Sequence, residues 1–195
     1  MNATPGVPDV VATYDDVSAA LQNMVAGVRP EQWSAPTPCT EWNVRMLVNH
    51  VVTGTLVFVA NIHGSALPDR SVDRLGDDPV AAFASAARTL HDTFLEPGVM
   101  EGVYPSPMGD MPGRVLVQMR ITEQIVHGWD LGQATGQSLA VPVELVEETL
   151  AGLRQVVPGG QRQGVMFADE QECPDEMPAL DRLAAFLGRP VAAVG

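Results

Sequence analysis

Cysteine is scarce in this sequence: Cys39 and Cys173 are the only two. Thiols so far apart in a long chain do not make a disulfide framework, and both are read as reduced. Neither belongs to a CxxC pair, so a sulfur-rich zinc site is excluded by count. Basic residues are also few, 11 against 24 acidic ones, for a formal charge of −13. That balance repels phosphate backbones and anionic lipid surfaces, and no local Lys/Arg cluster offsets it. Neither nucleic acid nor a membrane is an expected partner. No stretch of about 18 residues is apolar without polar interruption. The N-terminus lacks the basic segment and apolar run of a signal peptide, so a cytoplasmic protein is expected.

What is present is ordinary globular composition, 46% hydrophobic and 18% charged, over a length that suits one domain, residues 1–195. Helical periods dominate. Val10, Tyr14, Val17, Leu21, Met24 and Val28 form one apolar stripe and predict a first helix. Arg29 to Trp42 holds three prolines and reads as an ordered loop, with Thr40 positioned to cap a second helix from about Glu41 to Ile62. Asp78-Pro79 starts a third helix, with Val80, Phe83, Ala87, Leu90 and Phe94 inward, that stops near Pro97. Gly98 to Gly113 is a long irregular connection with a short hairpin around Val103 and Tyr104.

A fourth helix opens between Asp110 and Pro112 and runs to Thr135, where Gly136 ends it. A fifth spans Pro142 to Val157, and a short one follows from Ala179 to Leu187, ending at Gly188. The fold class predicted is mainly α, four principal helices in a bundle with additional short helices and long loops.

The fourth helix carries the chemistry. Glu123 and His127 are four apart and project together, so they can chelate one ion. Oxygen and nitrogen donors of this kind suit zinc, and equally nickel, iron or manganese. A third ligand is needed. His50, mid-helix among apolar neighbours, must find a partner for its imidazole and is the best candidate; His91 is its rival, and His63 falls at a helix end. Simpler roles compete: Arg120 and Glu123 are spaced for an i,i+3 ion pair, and Asp130 can orient an imidazole or merely face water. Cys39 reads as a small packing residue in the capping loop, and Trp42 and Trp129 as packing residues beside the ligand helices.

Two stretches carry a family resemblance. Trp33-Ser-Ala-Pro-Thr-Pro-Cys-Thr-Glu-Trp-Asn-Val-Arg-Met-Leu-Val-Asn-His50 resembles the opening signature of the actinobacterial proteins grouped with mycothiol-dependent maleylpyruvate isomerase, within the DinB/YfiT-like superfamily. Arg120 to Gly136, with Glu123-xxx-His127-Gly-Trp-Asp-Leu, resembles that family's second ligand helix. The closing Asp181-Arg-Leu-Ala-Ala-Phe-Leu-Gly-Arg-Pro is similar to the ending of a short subgroup. The resemblance implies a DinB-like bundle and a metal triad of His50, Glu123 and His127, with His91 a bystander. It also implies an open fourth position for a low-molecular-weight thiol such as mycothiol. Isomerases of the family carry a further C-terminal domain that is not in this sequence, so isomerisation of maleylpyruvate itself is not the expected reaction. The Gly98 to Gly113 connection and the acidic stretch from Gly159 to Pro178 could cover the metal instead. A thiol-using enzyme acting on a small-molecule electrophile leads. A zinc-dependent hydrolase and a non-enzymatic metal-binding protein are the alternatives. Nothing in the sequence sets the oligomeric state, and a homodimer is among the states it allows.

Overall fold

A computed structural model describes residues 10–106, 109–157 and 167–191. Apolar residues recurring every three or four positions produce α1 (Val10–Ala26), which buries Val11, Tyr14, Val17, Leu21 and Met24 along one face. The following loop is ordered as predicted: Thr37 Oγ1 donates to the Trp42 carbonyl at 2.8 Å, and Gln32 Nε2 reaches the carbonyl of Thr135 at 2.9 Å.

α2 (Val44–His63) starts later than the sequence suggests. Its cap is Asn43, whose side chain accepts from the Met46 N–H at 2.9 Å, and not Thr40. The reason is a turn in which the Trp42 N–H reaches the Cys39 carbonyl at 2.7 Å. That turn occupies residues 39–42 and leaves Asn43, a better capping residue than threonine, at the helix start. By length and composition α2 could cross a membrane; here it packs between two other helices.

α3 (Pro79–Phe94) is capped by Asp78, which accepts from the Ala81 N–H at 2.9 Å. The expected hairpin is present as β1 (Val103–Tyr104) and β2 (Met111–Pro112), paired antiparallel with Val103 opposite Pro112. Because Met111 and Pro112 belong to the strand, α4 begins at Gly113 and runs to Thr135. A Cβ at Gly113 would lie 1.9 Å from the Val99 carbonyl oxygen, so only glycine permits this junction.

α5 (Val143–Val156) and α6 (Ala179–Phe186) complete the fold. α1 packs on α3 and α4, and α2 packs on the same two, which closes a four-helix ring. α4 is buried on all sides over most of its length, as a central helix should be. α6 bridges to α5: Trp129 of α4 donates Nε1 to Asp181 at 2.7 Å, and Arg182 pairs with Glu147 of α5. Trp129 is thus a packing residue with its one donor satisfied. The mainly α, DinB-like helical fold expected from the sequence is the one observed.

Candidate metal centre

α2 and α4 lie side by side, and their facing positions create the site. His50 Nε2 lies 3.3 Å from Glu123 Oε1. The His50 and His127 rings meet edge to face with centroids 5.0 Å apart. One donor atom from each of the three residues falls within 4.8 Å of the other two. The other histidines are engaged elsewhere: His91 Nδ1 is 2.8 Å from Asp15 and His63 Nε2 is 3.0 Å from Glu96. It is His50, not its rival His91, that meets the α4 pair.

Two of the three donors are held from behind. The second carboxylate oxygen of Glu123 pairs with the Arg120 guanidinium, which is fully buried and donates to the Val51 carbonyl and the Thr55 hydroxyl, both at 2.9 Å. The Glu123 carboxylate matches the buried guanidinium charge, while Arg120 Nε has no hydrogen-bond partner among the described residues. The ion pair and the ligand role are therefore compatible: Oε2 serves Arg120 and Oε1 faces His50. Burial opposes ionisation of Glu123, but Arg120, the His50 hydrogen bond and His127 outweigh it and hold the carboxyl well below its usual range. Gly54 makes room for the pair, since a Cβ there would sit 3.1 Å from both Arg120 Nη1 and Glu123 Oε1.

His127 is buried, and its Nδ1 lies 3.0 Å from Asp130 Oδ2. Burial lowers the imidazole pKa against the pull of Asp130. The ring is then neutral near pH 7, Nδ1–H donates to Asp130, and the Nε2 lone pair is left over. Asp130 itself is fully buried and accepts from Arg189 Nη2 at 3.0 Å and Nε at 3.3 Å. Burial works against its charge, but His127 and Arg189 more than offset this and keep the carboxyl ionised below its ordinary range.

Cys39 donates its thiol to Asp130 Oδ2 at 3.2 Å. Burial and the Asp130 charge push that thiol up to about 12, so it is a packing thiol and not an activated nucleophile. Cys39, His127 and Asp130 also place donor atoms within 4.8 Å of one another, yet Arg189 engages both oxygens of Asp130 and would repel a cation there. Trp42 packs on both imidazoles, with centroids 4.3 Å from His50 and 6.0 Å from His127. Sequence reasoning found the triad, Asp130 and Trp42. It missed Arg189 and Gly54; the only trace of the former is the closing Gly-Arg-Pro, which gives no hint of its partner.

Above this floor opens a cavity of about 1170 Å³ between α2, α4 and α5. Pro105, Ser106 and Met111 from the long connection line it, as do Phe167 and Ala168 from the acidic stretch. Residues 107–108 and 159–166 of those two expected covers lie outside the described residues.

Residues 14–132 match the family model of the mycothiol maleylpyruvate isomerase N-terminal domain. The chain belongs to this family. The matched span includes His50, Glu123, His127 and Asp130 and ends before α5, α6 and Arg189. An uncharacterised protein found in two strains of Mycobacterium tuberculosis is 39% identical over 184 residues, covering 94% of this chain and 99% of its own length. The crystal structure of mycothiol-dependent maleylpyruvate isomerase is similar with a TM-score of 0.61 at 16% identity, covering 77% of this chain and 71% of that one. A histidine-to-alanine mutant of that enzyme gives 0.60 at 14% identity. At such identities the likeness is one of fold.

Proposed function

We propose that this family member is an enzyme that holds one divalent metal, zinc, through His50, Glu123 and His127, and uses it to bind a low-molecular-weight thiol for reaction with a small electrophile. The observation that carries this reading is that one donor atom from each of the three side chains converges within 4.8 Å of the other two, with the spare atoms of His127 and Glu123 engaged elsewhere. Asp130 takes Nδ1 of His127, Arg120 takes Oε2 of Glu123, and Nε2 of His50 faces Glu123 Oε1. Two imidazole nitrogens and one carboxylate oxygen form a zinc-type donor set that leaves a position open, as catalytic sites do and structural sites do not. A zinc ion held there supplies stabilisation of a sulfur ligand as thiolate near pH 7.

The residues of the chain do the rest. Arg120 fixes Glu123, Asp130 fixes the tautomer and orientation of His127, and Trp42 packs against both imidazoles. The cavity above the floor is of the size that takes a small-molecule ligand. Mycothiol is the favoured thiol, because the family is described by its dependence on it. No thiol of the chain itself competes for the role: Cys39, the cysteine near the floor, is held protonated.

Cobalt substitution tests the reading directly. Mycothiol added to the cobalt protein is expected to produce a sulfur-to-metal charge-transfer band, absent in the apo-protein and in His127→Ala. A cobalt-loaded protein that shows no such band at saturating mycothiol or simpler thiols overturns the thiol role and leaves the hydrolase as the working alternative.

A further inference from the structure

The walls of the cavity differ from its floor. α5 packs on α6, and α6 in turn on α4, so α5 is held away from the ligand helices and the cavity is the gap that remains. Phe58 of α2, Met119 of α4, Leu145 and Leu153 of α5, and Phe167 of the tail line that gap. The apolar lining continues to the mouth, where Val156 is 68% exposed.

Charge is distributed in the opposite way. The sequence contains no lysine, so arginine is its only permanent side-chain cation. Among the described residues two arginines line the cavity, Arg70 and Arg189. Arg189 is committed to Asp130 and to the Leu187 carbonyl, and Arg70 is exposed to solvent. Glu41 and Glu148 also line the cavity. Among the described residues, a dicarboxylate entering it would lose its water and meet no buried, uncommitted cation on the walls.

Gly152 adds an independent observation. It lies inside α5, where glycine is disfavoured relative to alanine. A Cβ built there meets no atom within 4 Å, so no close packing requires the glycine. Its bare backbone is part of the cavity lining, and the missing side chain widens the space between α5 and the floor.

We infer that the cavity selects a neutral, predominantly apolar molecule over a small dicarboxylate, and that Gly152 keeps the space open for it. The inference rests on the proposed function only in taking this cavity as the substrate site.

Dimethyl phthalate and phthalate, which share a skeleton and differ in charge, make the test. Binding is measured by calorimetry and by tryptophan fluorescence on the full chain as purified, and again after a chelator has removed bound metal. The neutral diester is expected to bind at least about tenfold more tightly than the dianion in the metal-free preparation, a difference of about 1.4 kcal/mol. Gly152→Leu should weaken diester binding about tenfold with the urea midpoint at or above wild type, and Gly152→Arg should erase or reverse the charge preference. Equal or tighter binding of phthalate by the metal-free wild type overturns the inference, as does failure of the diester to bind, or Gly152 variants that bind as wild type does. Zinc content assayed on the same samples separates the two readings. A protein that retains no zinc yet prefers the diester removes the metal-dependent function and leaves the cavity assignment standing. One that retains zinc but prefers phthalate without it does the reverse.

Discussion

The floor and the roof of the cavity are built on different principles. On the floor, α2 and α4 pack directly, and paired charged side chains hold two of the donors: the fully buried Arg120 behind Glu123, and the fully buried Asp130, paired with the largely buried Arg189, behind His127. The roof is apolar and tethered through α6, by Trp129 to Asp181 and by Arg182 to Glu147. The family match covers the floor apart from Arg189 and stops before the roof. On the proposed reading the contrast is a division of labour: the floor would set what chemistry is available, and the roof what is admitted to it.

Removing a donor breaks the floor outright. The purified protein is expected to carry close to one zinc per chain. His50→Ala, Glu123→Ala and His127→Ala should each lower that content at least about tenfold, while His91→Ala and His63→Ala leave it unchanged. Metal analysis of variants shown by circular dichroism to be folded decides the matter. Full occupancy in all three donor variants would remove the site from consideration, and loss in His91→Ala alone would make His91 the third ligand.

Arg120→Met acts on stability as well as on the site. It leaves the Glu123 carboxylate in its enclosed position without a counter-charge, a change of the kind that costs about 3–5 kcal/mol. Urea denaturation of the metal-free protein measures it. A loss under about 1 kcal/mol, the range of exposed ion pairs, would mean that water already compensates Glu123. Lysine at this position should not restore stability, because Arg120 meets Val51, Thr55 and Glu123 at once through a planar fork.

Local spacing encodes half of the triad, and the resemblance of the Trp33 to His50 stretch supplied the choice of His50 over His91. Glu123 and His127 are four apart, and an imidazole in the apolar middle of α2 needs a reason to be there. The helices were legible from their stripes, and Asp78-Pro79 announced its cap correctly. The start of α2 was misread because the turn at residues 39–42 cannot be seen in composition. Arg189 was invisible for a different reason: it lies 59 residues from Asp130, and no periodic signal joins a chain end to a helix interior. The cavity was equally hidden, since it depends on α6 holding α5 away from α4.

A milder change to the floor is Asp130→Asn. It keeps the side-chain shape but removes the charge that holds the His127 tautomer and pairs with Arg189, and loss of such a partner lowers metal affinity about 10–100-fold. Competition with a chromogenic chelator gives the value. Unaltered affinity would show that packing against Trp42 alone orients the imidazole.

Acid should unsettle the floor before the roof. Glu123, Asp130 and His127 all have pKa values depressed in the folded state, so the unfolded chain binds more protons as pH falls. The stability His127 contributes is complete above about pH 6.5, the carboxylates' share above about pH 4, and both are lost as pH drops through the folded values. Protons also compete with metal for the same atoms, so zinc should leave mainly below about pH 6. A urea midpoint of the metal-free protein that stays flat from about pH 7 to about pH 4 would contradict this assignment of charges.

The smallest effect expected is also the sharpest comparison, because one substitution should have opposite signs in the two regions. Gly152→Ala on the roof adds a methyl where no atom lies within 4 Å and relieves the entropic cost of a helix-interior glycine. It should stabilise the protein by about 0.5–1 kcal/mol. Gly54→Ala on the floor gains the same helix propensity but pushes its methyl to 3.1 Å from Arg120 Nη1 and Glu123 Oε1. Those atoms cannot retreat without breaking the ion pair or the bonds from Arg120 to Val51 and Thr55, and overpacking of this kind costs about 1–3 kcal/mol, more than propensity returns. Paired urea melts of the two variants measure both signs. If Gly54→Ala proved as stabilising as Gly152→Ala, the Arg120–Glu123 pair would have slack, and the floor could not be the rigid half of this molecule.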